Sequence, residues 1–272
     1  MQSRGIVLIN TNVSSPPVSP VGLEYVGETL VEAGIPLTVI DFSFEADWKA
    51  TLKRELGATD PVIIGVSIRN IDDSSFVSRQ SFLPWIKDVV EELHHQSEAF
   101  VLLGGVGFSV DPTIALEYTA ADAGIAGDGE DAIQALYRRL VKHEEYFDLP
   151  NMICRIGHDV VCTQRSYVDL KQAPPPRRRL FDNRRYEQTG AMVGIETRRG
   201  CNGTCIFCAD PLAKGNNIRL RPPDNVVREF RDLSSQGVAW FHLADSEFNI
   251  PIKHTKDICR AIIDAGLGEK IH

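Results

Sequence analysis

The sequence predicts an α/β fold whose first half is a doubly wound parallel five-stranded sheet. Three observations carry that prediction. Short apolar runs such as Gly5-Ile6-Val7-Leu8-Ile9-Asn10 lack polar alternation, as strands buried on both faces do. Segments of helical spacing separate these runs. The two kinds of segment alternate five times, the pattern of right-handed βαβ crossovers in a parallel sheet.

The elements follow in order. Residues 5–10 form the first strand. Residues 22–34 form a helix with Leu23, Val26, Leu30 and Val31 on one face, ended by Gly34. Residues 36–42 are the second strand, and residues 45–57 the second helix. Residues 61–68 are the third strand, followed by a long helix over 77–96 whose start is less regular because of Pro84. Residues 99–103 are the fourth strand, ending in Gly104-Gly105, and a helix follows near 112–119. Residues 123–126 are the fifth strand, and residues 129–141 the fifth helix. Such sheets bind ligands at the carboxyl ends of their strands, near the topological switch point. The loops there are residues 10–21, 67–75, 104–111 and 127–131, rich in Gly, Pro, Ser and Asn, so backbone can approach a ligand closely.

A change of character follows. Residues 152–155 and 160–165 alternate around Gly157-His158 as a hairpin. Gln172-Ala173-Pro174-Pro175-Pro176-Arg177-Arg178-Arg179 reads as a stiff, solvated linker. The expected division is therefore a first domain over 1–145, a hairpin and Pro/Arg-rich linker over 146–187, and a second domain over 188–272. The second domain reads as strand 191–196, helix 224–236, strand 238–243 and helix 253–265.

Composition bounds the function. The chain has 272 residues, is 43% hydrophobic and 24% charged, and carries a formal net charge of −8. That acidity lacks the basic footprint of a nucleic-acid or anionic-membrane binder. No segment reaches the ~18 unbroken apolar residues of a membrane span, and Met1-Gln2-Ser3-Arg4-Gly5 leads straight into a strand without a signal-peptide core. The expectation is a cytoplasmic protein with neither nucleic-acid nor membrane partners. In that compartment six cysteines do not suggest a disulfide framework.

Three of them lie on one short stretch, Arg199-Gly200-Cys201-Asn202-Gly203-Thr204-Cys205-Ile206-Phe207-Cys208, directly after a strand. Three thiolates at C-x3-C-x2-C spacing can hold three irons of a [4Fe–4S] cubane. The fourth iron is left open for the amino and carboxylate groups of S-adenosylmethionine. Gly200 and Gly203 let the loop wrap closely. The alternatives are an incomplete zinc site, which would want a fourth ligand, an electron-transfer cluster, which would usually have four cysteines, or three unrelated cysteines.

This loop resembles that of the radical S-adenosylmethionine superfamily, in which an aromatic residue commonly precedes the last cysteine, as Phe207 does. In that superfamily the end of the second barrel strand contacts the amino group of S-adenosylmethionine, often through a Gly-Gly-Glu-like motif. Here Asp245-Ser246-Glu247 occupies that place, so Asp245 and Glu247 are both candidates, with a helix cap or exposed turn as the plain alternative. Arg198 and Arg199 precede the loop; one could meet the S-adenosylmethionine carboxylate, with a surface salt bridge as the safer reading.

The first half in turn resembles the cobalamin-binding domain of cobalamin-dependent radical S-adenosylmethionine enzymes. The matching stretches are 14–25, Leu102-Leu103-Gly104-Gly105-Val106-Gly107-Phe108-Ser109, and Gly127-Asp128-Gly129-Glu130-Asp131. The resemblance implies cobalamin contacts at Asn12, Ser67, Arg69, Asn70, Gly104, Gly105, Gly107, Gly127, Gly129 and Glu130. The same glycines also serve plain tight turns. Many cobalamin domains supply an axial histidine after the first strand; here that loop begins Asn10-Thr11-Asn12, and no histidine precedes His94. This absence directs attention to Arg69 or Asn70 as what faces the cobalt's lower side.

The resemblance implies a 5′-deoxyadenosyl radical that abstracts hydrogen, and methylcobalamin that methylates an unactivated carbon of a small molecule or peptide. An electron donor of flavodoxin or ferredoxin type would serve the cluster. Cyclisation or rearrangement is the alternative reaction. Only two β-α units of a TIM-type barrel follow the linker, fewer than a closed barrel holds. The chain is therefore expected to be an N-terminal portion, and a non-catalytic cofactor-binding fragment is the competing class. Cys154 and Cys162 read as packing residues, and His94 and His95 as helix-end residues. His242 reads as core or barrel-lining.

Overall fold

The computed structural model describes residues 4–157 and 159–272. Met1 to Ser3 of the N-terminal run, and His158 of the expected hairpin turn, lie outside the described residues. The chain divides into two compact units: one from the N-terminus to Val13 with Thr29–Tyr167, the other Ser14–Glu28 with Val168–His272.

The first unit is built on β1 (Ile6–Asn10), α1 (Val21–Glu32, whose first turns belong to the other unit), β2 (Leu37–Asp41), α2 (Trp48–Gly57), β3 (Ile63–Ser67) and α3 (Leu83–Gln96). It continues with β4 (Phe100–Gly104), α4 (Val106–Val110), α5 (Pro112–Thr119), β5 (Ala123–Ile125), α6 (Glu130–Val141), β6 (Met152–Ile156) and β7 (Asp159–Cys162). The strand order is β2-β1-β3-β4-β5-β6-β7. The first five are parallel, and β6 and β7 are antiparallel. The sheet therefore has seven strands where the sequence predicts five. The hairpin does not stand apart with the linker. It adds to the sheet edge, with Ala123 paired to Cys154 and Ile125 to Met152, because Met152, Ile153 and Cys154 are apolar enough to be buried there.

Val7, Ile9, Ile64, Val66, Val101 and Leu103 carry one sheet face into a core with Leu52, Leu56, Val89, Val90, Leu93 and Leu116. The helix expected over 77–96 starts only at Leu83. Before it, Asp73 accepts from the N–H groups of Ser75 (3.0 Å) and Gln80 (3.3 Å) and from the Ser78 hydroxyl (2.5 Å). That side-chain competition for backbone donors replaces helical turns with a loop.

The second unit contains α7 (Asn183–Gln188), β8 (Val193–Ile195), β9 (Arg198–Arg199), α8 (Asp210–Lys214), β10 (Arg219–Leu220), α9 (Pro223–Ser235), β11 (Phe241–Leu243) and α10 (Ile252–Asp264). β8 and β11 pair in parallel, with Val193 opposite Phe241 and Ile195 opposite Leu243. Val226, Val227, Phe230 and Leu233 of α9 and Ile258 of α10 cover them. This is the expected β-α-β-α order. Beyond α10 the backbone returns to β11: the His272 N–H donates to Ala239 (2.7 Å), and the Phe241 N–H to His272 (2.8 Å).

Candidate cofactor sites

In the second unit the chain leaves β8 through a buried turn and enters the cysteine loop by way of β9. β9 pairs antiparallel with β10, Arg199 opposite Arg219 and Arg198 opposite Leu220, so the two short strands close the loop at its base. Gly200 is needed there. Its φ is +85°, and a Cβ would meet the Asn217 carbonyl at 2.2 Å, too close for any other residue. The Cys201 N–H donates to the Gly215 carbonyl (3.0 Å), and the Cys208 N–H to the Cys205 carbonyl (3.2 Å).

Cys201 is half-buried; Cys205 and Cys208 are exposed, and none is in a disulfide. The Gly203 N–H donates to Cys201 Sγ (3.4 Å). A Cβ on Gly203 would lie 3.4 Å from Cys201 Sγ and 3.8 Å from Cys205 Sγ, so both thiols flank this glycine. Among the described residues no three His, Cys, Asp or Glu side chains converge on a single point. A cubane asks for something different, each thiolate on its own iron. Three thiols on a loop closed at its base, one already receiving an amide N–H, fit that group. Phe207, beside the last cysteine, is 89% exposed.

The structure separates the two carboxylates at the end of β11. Asp245 is half-buried, and its oxygens accept from the Thr197 N–H (2.7 Å), the Thr197 hydroxyl (2.5 Å) and the Arg198 N–H (3.1 Å). Glu247 is exposed. Lys214 of α8 donates to the Ala244 carbonyl (3.1 Å), tying the cysteine loop to the same strand end. Arg198 and Arg199 are not surface residues. Arg199 forms a 3.0 Å ion pair with Glu196, each side chain 9% exposed, and Arg198 is 1% exposed. Arg199 is held inward by Glu196, and Arg198 by the Gly200 and Ile250 carbonyls.

In the first unit the strand order puts the switch point between β1 and β3, where such sheets take ligands. Asn12 follows β1, and Ser67, Arg69 and Asn70 end or follow β3. Thr11, which sequence reasoning passed over, bridges the two: its hydroxyl donates to the Ser67 carbonyl (2.6 Å), and its own carbonyl accepts from Trp85 Nε1 (3.0 Å). Buried Asn10 donates to Asp41 (2.9 Å) and Ser43 (3.1 Å), and the Ser43 hydroxyl donates to the Asn12 carbonyl (2.8 Å). Arg69 and Asn70 are exposed on the rim. With its amide nitrogen toward the Arg69 carbonyl (2.8 Å) and its oxygen toward the guanidinium (3.1 Å), Asn70 is paired with Arg69.

The glycines after β4 play a more local part than a ligand contact requires. A Cβ on Gly107 would lie 2.8 Å from Asn70 Cα, and one on Gly105 would lie 2.5 Å from the Ile68 carbonyl. These two let the post-β4 turn pack against the post-β3 loop. Gly104 is open to within 3.9 Å. Gly127 has φ +93°. Gly129 caps α6, and Glu130, its first residue, is buried. A rim of backbone amides and small polar side chains suits a ligand edged with amides. His94 and His95 lie in the last turn of α3, and His242 is exposed on β11. Cys154 is buried, and burial pushes its thiol up to about 11.

The arginine run expected to be solvated is partly a core element. Arg178 is fully buried. Its Nε donates to Glu24 (2.6 Å), and its Nη1 to Glu229 (2.6 Å) and the Gly194 carbonyl (2.8 Å). The Tyr25 hydroxyl donates to Glu229 (2.9 Å) and accepts from Arg221 (3.2 Å) and the Glu196 N–H (3.2 Å). Burial opposes the Arg178 charge, but Glu24 and Glu229 outweigh it and hold it protonated; burial and Glu229 push the Tyr25 phenol up. Glu24, Glu196 and Glu229 face Arg178, Arg199 and Arg221, so the buried network is charge-balanced. Its partners come from segments 154 residues apart for Glu24 and Arg178, a distance no local sequence pattern reports.

Fold and site together define a corrinoid-type α/β domain joined to the opening of a barrel with a three-cysteine loop. The B12 binding domain family matches residues 7–137. The tryptophan 2-C-methyltransferase of Streptomyces laurentii is 29% identical, over 95% of this chain and 52% of its own length. The hopanoid C-3 methylase of Methylococcus capsulatus is 23% identical, over 94% and 47%. The radical S-adenosylmethionine methyltransferase TsrM from Kitasatospora setae, solved with cobalamin and a [4Fe–4S] cluster, superposes with TM-score 0.91 at 27% identity, over 97% of this chain and 51% of that one. The cobalamin-dependent enzyme OxsB shares the fold, with TM-score 0.77 at 18% identity. Residues 7–137 carry a B12 binding domain, the chain as a whole is similar to cobalamin-dependent radical S-adenosylmethionine methyltransferases, and it spans about half the length of the curated relatives it matches (52% and 47%).

Proposed function

We propose that this chain binds cobalamin on its first unit and a [4Fe–4S] cluster with S-adenosylmethionine on its second, in the service of carbon methylation. The observation that carries the reading is the closed loop with Cys201, Cys205 and Cys208, three ligands for four irons, in a chain whose residues 7–137 match a B12 binding domain. The bound cofactors supply one-electron cleavage of S-adenosylmethionine and a transferable methyl group.

The protein's own part is holding and orienting. Cys201, Cys205 and Cys208 hold the cluster as thiolates, with the Gly203 N–H stabilising charge on Cys201. Glu247, exposed at the end of β11, would accept from the amino group of S-adenosylmethionine. Exposed Phe207 offers an apolar face to its adenine. Asn12, Ser67, Gly104, Gly127, Gly129 and Glu130 form the corrin rim, with Gly105 and Gly107 shaping it. Arg69 and Asn70, paired with each other after β3, would contact the corrin in a domain whose first loop supplies no histidine. A flavodoxin- or ferredoxin-like protein supplies the electron. The substrate is a small molecule or peptide, and tryptophan, the substrate named for a relative, is the first to try.

Anaerobic reconstitution, with iron, sulfide and cobalt counted alongside optical spectra, tests the reading. Four irons per chain with corrin bands is the expected result. Zinc without iron would overturn the cluster assignment, and iron without corrin bands the cobalamin assignment.

A further inference from the structure

The densest buried polar contacts beside the cysteine loop lie in the turn that leads into it, residues 197–200. Thr197 is fully buried, and Arg198 is 1% exposed. Asp245, from the end of β11, accepts from the N–H groups of both and from the Thr197 hydroxyl, at 2.7, 3.1 and 2.5 Å. Two of these donors are backbone amides, which cannot turn aside to admit a ligand.

The Thr197 carbonyl accepts from the Arg221 N–H (3.0 Å) and faces Nε2 of His254, on α10, at 3.1 Å. A carbonyl only accepts, so that nitrogen carries the proton. His254 is 7% exposed and adjoins none of the three cysteines in sequence. Arg198 completes the arrangement, its guanidinium donating to the Gly200 carbonyl (3.1 Å) and to the Ile250 carbonyl. Three separate segments thus hold the four residues immediately before Cys201. Groups that grip the support of a metal ligand rather than the metal commonly matter about 10–100-fold to metal affinity.

We infer that Asp245 and His254 are positioning residues for the cysteine loop, fixing the turn Thr197-Arg198-Arg199-Gly200 and through it the place of Cys201, and that Asp245 is not a cofactor ligand. The inference rests on the reading that the three cysteines hold the cluster. It removes one of the two carboxylates that the sequence offers to S-adenosylmethionine and leaves Glu247.

The test uses the full chain, reconstituted anaerobically, with D245A, D245N, H254L and H254Q. Readouts are iron bound against iron supplied, the electron paramagnetic resonance of the reduced cluster without S-adenosylmethionine, and its change when S-adenosylmethionine is added. D245A and H254L are expected to weaken iron uptake about 10-fold and to alter the cluster signal before S-adenosylmethionine is present. D245N keeps an acceptor for the two amides, and H254Q keeps an N–H donor; both are expected to stay near the parent. Circular dichroism and corrin binding report folding independently of the cluster. If D245A does not fold, the H254L and H254Q pair still decides.

Variants that load iron like the parent, with the parent's signal before S-adenosylmethionine, overturn the inference. A loss confined to the S-adenosylmethionine-induced change in D245A would instead make Asp245 a ligand, and would also overturn it. A parent chain that takes up no iron fails differently. It brings down the reading of the cysteines, and this inference with it.

Discussion

At the residue scale, the cysteines of this chain differ by environment more than by identity. Cys205 and Cys208 stand exposed on a loop, whereas Cys154 is 1% exposed in the sheet. Burial lifts its thiol from 9.0 to about 11. The folded state therefore keeps a proton that the unfolded chain loses, and the sign is fixed: this stability is fully present below about 9 and is lost as pH rises toward about 11. Alkylation of the native apo chain at pH 8 should label Cys162 and Cys259 and spare Cys154, with denaturant restoring its labelling; equal labelling of all three would contradict its burial. Glu247 makes the opposite case, an exposed carboxylate. Glu247→Ala should weaken S-adenosylmethionine binding by about 1.5–3 kcal/mol, the size of a charge-assisted hydrogen bond. Calorimetric titration of the cluster-loaded protein measures it, and unchanged affinity would exclude the contact.

At the scale of elements, the parallel strands and the cysteine loop were legible in the sequence because each rests on local signals: unbroken apolar runs, glycine stops and tight cysteine spacing. What was not legible depends on partners distant in the chain. Arg177-Arg178-Arg179 looks like a solvated linker until Glu24 and Glu229 are brought to Arg178 at 2.6 Å. Asp245 looks like a ligand until Thr197 and Arg198 are seen to occupy it. The edge hairpin looked independent because alternation says nothing about which strand a strand will join.

Arg178 also gives a sharp prediction. Arg178→Ala leaves buried Glu24 without its cation, while Glu229 keeps Arg221 at 2.6 Å, and should cost about 3–5 kcal/mol, read as a lower urea midpoint for the second unit. Glu24→Gln combined with Arg178→Met removes charge from both sides and should cost less than the single change. Gly107→Ala acts in the first unit, where its Cβ would meet Asn70 backbone at 2.8 Å. Overpacking of this kind costs about 1–3 kcal/mol. Its displacement of the post-β3 loop should lower cobalamin affinity in a spectral titration, while Gly57→Ala, with nothing within 4 Å of its Cβ, should not.

At the scale of the whole molecule, each unit has its own core and its own candidate cofactor, so the two loadings should be separable. A ligand that binds only the folded form stabilises it by mass action, about 2.7 kcal/mol at a hundredfold excess over its dissociation constant. Cobalamin should therefore slow amide exchange in β1, β3, β4 and β5 and raise the unfolding midpoint of the first unit. Replacing Cys201, Cys205 and Cys208 together by alanine should abolish iron binding and leave that protection in place. Hydrogen exchange followed by mass spectrometry resolves the two units by peptide. Protection by cobalamin that disappears in the triple variant would mean that the corrin rim depends on an intact cluster loop. That outcome would refute a division of labour in which strand ends hold the corrin and a β-closed loop holds the cluster.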